Sequence, residues 1–152
     1  MTRTYAREYA VQIIYSLGFN GFLPAEVAEV LDERLSEETF ERLRSEDELY
    51  AKRPAGEQAA YIRRVVLGVA GHLPEIDAYI EKYLVDWQFG RLPRVAVAVL
   101  RVCMFEVLYM QDVPPKAAMN EAIEIAKHYE PKEDVSFING LLGSFFANES
   151  IQ

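Results

Sequence analysis

Few side chains in this sequence stand where they could do chemistry. In "NEAIEIAKHYEP", Glu124 and His128 are one helical turn apart with Glu121 beside them, so the three share one helix face. Carboxylate and imidazole are metal ligands by type, but so few on one helix leave a coordination shell incomplete, and the other histidine, His72, is remote. An exposed polar face is the simpler reading. Cys103 would be a nucleophile beside a base, yet its neighbours are Val102 and Met104 and no histidine is near, which makes it a core thiol. "GVAG" at 68–71 follows no strand, so it reads as a helix end or close packing rather than a phosphate cradle. No catalytic residue, metal site or cofactor is expected.

The remaining polar singletons sit inside apolar helices. Arg101 and Glu106 interrupt the run "PRVAVAVLRVCMFEVLYMQD" and need charged partners if they are buried. Asn120 lies mid-helix, where its amide competes with the backbone, and Asn139 precedes Gly140 in a second apolar stretch. Both are expected to tie helices by side-chain hydrogen bonds, with a ligand-facing role as the alternative. Glu124 and Lys127 read as a surface pair.

The elements that would carry these residues are helices throughout. "YAREYAVQIIYSLGF" places Tyr5, Tyr9, Ile13 and Leu17 on one stripe, and Gly18, Asn20 and Gly21 end it. Pro24 opens "AEVAEVLDERL", Ser36 caps a further short helix, and "RSEDELYAKRPAGEQ" reads as an exposed loop. "EQAAYIRRVVLGVAGHL" precedes "PEIDAYIEKYLVDW", whose apolar period runs from Ile76 through Trp87. Alternating Val and Ala after Pro93 suggests a strand, but the run is too long for one and proline suits a helix start. "PPKAAMNEAIEIAKHYE" and "EDVSFINGLLGSFFANES" complete an all-α bundle of about seven helices.

With 152 residues, 51% of them hydrophobic, the chain can bury a core as one domain, and disorder is excluded for most of it. A single cysteine and the lack of an apolar leader after the first Met suit the cytoplasm, and no stretch is apolar enough to span a bilayer. A net charge of −8 speaks against nucleic acid in sum. Its distribution speaks less strongly: residues 21–60 hold eleven acidic and five basic side chains, and the rest is nearly balanced. The acidic part, about 22–58, is expected to be a solvated helical extension.

"AREYAVQIIYSL", "YLVDWQFGRLPRVAVAVLRVCMFEVLY", "DVPPKAAMNEAIEIAKHY" and "SFINGLL", in this order, resemble the NusB family of transcription antitermination factors. The resemblance spans residues 1–152 apart from the acidic segment. It implies two packed helical subdomains within one domain. It also implies binding of boxA-like single-stranded RNA together with ribosomal protein NusE, within the RNA polymerase antitermination complex that supports ribosomal RNA transcription. The same domain precedes an RNA cytosine methyltransferase, for which this length leaves no catalytic domain. By resemblance, Arg3 and Arg7 on the first helix contact RNA, while Thr4 and Tyr5 stand where the family places further arginines. Tyr5 would stack on a base or pack in the core. Lys132 and Phe137, around the "EPKED" turn, would supply a second wall for the RNA, with Asn120 and Asn139 holding it rigid. NusE would meet the start of the central helix, near Leu92 to Val99, and adjoining helices. Two arginines imply weak binding of RNA alone, because each phosphate contact carries about 0.7 of salt slope for single strands. A protein-interaction adaptor or homodimer with little RNA affinity is the competing reading.

Overall fold

The computed structural model describes residues 1–18, 22–86 and 88–151. They form eight α-helices, one more than expected, and no strand appears among them. The chain divides into two compact units, Met1–Gly71 and His72–Gln152.

In the first unit, α1 (Arg3–Leu17) packs on α4 (Glu57–Gly71), with α2 (Pro24–Arg34) against both and α3 (Glu37–Leu43) following α2. Thr2 caps α1 by accepting from the Tyr5 N–H at 3.1 Å. Gly18 closes α1 with φ of 87°, a left-handed conformation that glycine adopts without a Cβ penalty. Asn20 and Gly21, also expected as stop signals, lie outside the described residues. Ser36 caps α3 as expected, accepting from the Thr39 N–H at 3.2 Å.

The acidic segment is more than a solvated extension. Its apolar minority, Val27, Leu31, Leu35, Phe40 and Leu49, is buried. Phe40 and Tyr50 pack edge-on against Tyr9 of α1, with centroids 5.2 and 5.9 Å away. The Tyr9 hydroxyl donates to the Arg34 carbonyl, and Tyr50 donates to Gln12 Oε1 at 2.8 Å. Burial pushes both phenols above their ordinary pKa. The expected 44–58 loop is exposed for most of its length, but a 3₁₀ turn at Glu48–Tyr50, capped by Asp47, pins it inward through Leu49.

In the second unit, α6 (Arg94–Tyr109) is the centre. It contacts α5 (Leu73–Lys82), α7 (Pro115–Tyr129) and α8 (Lys132–Asn148), and every residue from Ala96 to Glu106 is buried. A helix covered on all sides can be apolar all round, which explains why Val-Ala alternation here is not a strand. Cys103 is a buried thiol. Arg101 is 1% exposed and meets Asp77 of α5 through two bonds, Nε and Nη2 each at 2.9 Å, so the expected charged partner is present. Glu106 is fully buried.

One expectation fails here. The helix beginning at Leu73 stops at Lys82 instead of running to residue 87, and the chain turns at Asp86 with φ of 62°. Periodicity marks which side chains are apolar, not where the helix ends. Beyond it, the Tyr83 hydroxyl donates to the Glu149 carboxylate, which also accepts from Lys82 Nζ at 2.7 Å. Trp87 lies outside the described residues. At the start of α6, expected with adjoining helices to meet NusE, Leu92 and Ala96 to Val99 are buried, Pro93 and Val95 are half-buried and Arg94 is exposed.

Candidate nucleic-acid interface

The first turn of α1 presents Arg3 and Arg7 one turn apart, and the structure brings both to one ring. The Arg3 guanidinium lies 4.2 Å from the Tyr61 centroid, and that of Arg7 lies 5.6 Å from it. Cation–π attraction to the ring orients both charges. Arg3 Nε also donates to Gln58 Oε1 at 2.8 Å, one turn before Tyr61 on α4. The two arginines differ in access. Arg3 is half-buried, whereas Arg7 is 6% exposed and cannot meet a phosphate without moving. Gln58 and Tyr61 were not foreseen, because only the docking of α4 on α1 gives them a role.

Tyr5 is half-buried rather than in the core. The pKa of its phenol is raised chiefly by the Glu48 charge, then by burial, with Asp47 and Glu8 adding to the effect.

The second unit carries the other expected residues. Pro131 caps α8, its carbonyl accepting from the Asp134 and Val135 N–H groups at 3.0 and 3.1 Å. Lys132 is therefore the first helical residue, and it is exposed; Phe137, a turn and a half on, is half-buried. Glu130, at the end of α7, bonds Asp134. Its carboxyl is pushed up to about 7 by burial, then by that bond and by the Asp134 charge. Glu130 is thus partly protonated near neutrality, which lowers the negative charge of the turn next to Lys132. Glu124 and Lys127 pair at 3.0 Å on the surface as expected.

Asn120 and Asn139 do not tie helices. Both are exposed, and neither side chain bonds another described residue. A Cβ built at Gly140 meets nothing within 4 Å, so the adjacent glycine serves no close helix contact in this chain. Two amides inside apolar stretches suggested buried bonds, but each falls on the outward stripe of its helix. Among the described residues no group of three or more His, Cys, Asp or Glu side chains gathers as a metal site, and no helix is long and apolar enough to cross a membrane.

A dressed arginine at an open helix start and an aromatic-plus-lysine turn are binding features, not a reaction centre. Residues 4–146 match the model of the NusB family. The chain belongs to the NusB family. Transcription antitermination protein NusB of Thermoanaerobacter sp. (strain X514) is 35% identical over 152 residues, covering all of this chain and 95% of the relative. That of Clostridium kluyveri is 31% identical over 155 residues, with 100% and 99% coverage. Among solved structures, T. maritima NusB is 27% identical with a TM-score of 0.67 over 95% of this chain and 90% of that one. A structure of antitermination factors NusB and NusE in complex with dsRNA shares the fold, with a TM-score of 0.72 over 96% of each chain at 23% identity. The NusB family works in transcription antitermination, a task of binding rather than catalysis.

Proposed function

We propose that this chain is a cytoplasmic antitermination factor that binds boxA-like single-stranded RNA together with ribosomal protein NusE, within the RNA polymerase complex that transcribes ribosomal RNA operons. The observation that carries the RNA-binding reading is the partly exposed Arg3 guanidinium, fixed by Gln58 and the Tyr61 ring at the start of α1. A positive group held in place loses little conformational freedom when it meets phosphate. Arg3 is assigned the phosphate contact, and Arg7 the positioning of the Tyr61 ring. Lys132 is assigned a second phosphate contact and Phe137 a base stack. The structure of NusB and NusE in complex with dsRNA supports NusE and an RNA as partners.

A second reading, a protein adaptor or homodimer without useful RNA affinity, is favoured by the burial of Arg7 and the net charge of −8. Binding of a short boxA-like RNA across a salt series, with and without NusE, separates the two. Sequence preference that tightens with NusE and weakens in Arg3→Ala supports the first reading. Equal binding of scrambled RNA, even with NusE present, establishes the second.

A further inference from the structure

The start of α1 faces an open cavity of about 290 Å³ against the 47–52 turn of the acidic segment. Tyr5, Glu48 and Leu49 line it together with Met1 and Lys52. Leu49 is buried and supplies apolar surface, while Lys52 is exposed. Glu48 is exposed, and its carboxylate lies near enough to the Tyr5 phenol to be the chief cause of that group's raised pKa. Aromatic and apolar surface beside an acceptor-only group is the chemistry of a base pocket rather than a phosphate pocket. Among the lining residues Glu48 is acidic, and Lys52, which also lines the cavity, is left to meet the phosphate next to the base.

We propose that this cavity takes one unstacked guanine of the bound RNA, the Glu48 carboxylate accepting from its Watson–Crick edge beside the Tyr5 ring. Guanine alone offers two adjacent N–H donors, at N1 and N2, to the two oxygens of a carboxylate. Uracil places carbonyl oxygens on both sides of its single N–H. Adenine and cytosine place a bare ring nitrogen beside their amino group, which would face the second carboxylate oxygen. The pocket gives the 47–52 turn a role in base selection, which a merely solvated segment would lack. The inference rests on the RNA-binding reading and adds to it the base that is read.

The test uses the full chain with a boxA-like RNA in which each guanosine is replaced in turn by inosine, which lacks the N2 amino group. Affinity is measured by fluorescence anisotropy for the unaltered protein, for Glu48→Gln and for Tyr5→Phe, with circular dichroism melts as the folding control. One position is expected at which inosine weakens the unaltered protein about tenfold. The same substitution should cost Glu48→Gln less than about twofold, because a carboxamide cannot accept both N–H bonds. Tyr5→Phe keeps the ring and retains the inosine penalty. Sequence-preferring binding with no inosine penalty that depends on Glu48 overturns the pocket and leaves the RNA reading standing. Loss of NusE binding in Glu48→Gln, with RNA recognition unchanged, overturns it in favour of a basic protein side chain in the cavity. No RNA binding by the unaltered protein, even with NusE, overturns both readings together.

Discussion

Replacing Tyr61 by Leu removes the ring that carries two guanidinium groups and keeps most of its apolar bulk. The Arg3 contact, 4.2 Å and partly exposed, contributes about 0.5–1 kcal/mol, and the buried Arg7 contact up to about 2 kcal/mol. Together they amount to about 1.5–3 kcal/mol, a fall in Tm of about 4–10 °C for a domain of this size. The effect on RNA should differ in kind from that of removing charge. In Tyr61→Leu every cation remains, so the salt slope stays unchanged while affinity falls about 3- to 10-fold at each salt concentration, as Arg3 loses half of its support. In Arg3→Ala the slope itself falls by about 0.7, one phosphate contact. Arg7→Ala should lower Tm and leave the slope alone, since its charge lies inside. Anisotropy titrations from low to high potassium chloride, with calorimetric melts of each variant, read all three. If Arg7→Ala lowers the slope as much as Arg3→Ala does, the buried cation reaches phosphate and the division of labour drawn from burial is wrong.

Further outcomes follow from other contacts. The Glu130 carboxyl has a folded-state pKa of about 7 against an ordinary value near 4.5, so the folded chain holds this proton more tightly than the unfolded chain. Its stabilising share is complete below the ordinary value and is lost as pH rises through 7. RNA affinity should fall over the same window as the turn beside Lys132 gains charge, and Glu130→Gln should flatten both profiles; an unchanged pH dependence in that variant would remove the Glu130 proton from the account. Asp77→Ala removes the carboxylate that the buried Arg101 meets through two bonds and should cost about 3 kcal/mol in urea unfolding, part of it recovered when Arg101→Met is added. Leu49→Ala should cost about 2–5 kcal/mol, because the acidic segment holds part of the first unit's core; a change under about 0.5 kcal/mol would make that segment the solvated extension its charge suggests. Asn120→Ala and Asn139→Ala should each leave stability within about 0.5 kcal/mol, as expected for exposed amides without partners among the described residues.

The helices were legible because apolar spacing and caps act within a few residues, and Ser36, Pro93 and Gly18 all stand at the boundaries their types imply. The family was legible from four motifs in order. What escaped was long-range. Nothing local distinguishes the Leu49 of a charged loop, which is buried, from Leu23, which is 65% exposed. Asn120 and Asn139 were judged by the apolar company they keep in sequence, but the helical period turns each to the outside. Arg3 and Arg7 look equivalent as a pair one turn apart, and only the Tyr61 ring and the depth of each residue separate them.

The net charge of −8 and an RNA partner are reconciled by where the charges sit. Electrostatic interactions between exposed groups fade over about 8 Å at physiological salt, so RNA at the start of α1 responds to its neighbours rather than to the sum. Among those neighbours, Glu48 lines the cavity with Tyr5 and is suited to accept from a base edge, which converts a repulsive charge into a selective one. At the Lys132 turn, the raised pKa of Glu130 leaves it partly protonated near neutral pH, which lowers the negative charge beside the lysine. An acidic protein can in this way keep its general repulsion of nucleic acid and still admit one sequence, because non-specific binding depends on unpaired positive charge and the guanine-reading carboxylate does not. The consequence is measurable: raising salt should weaken binding of boxA-like RNA and of scrambled RNA in parallel through the few cation contacts, while the ratio between them, set by hydrogen bonds to the base, stays constant.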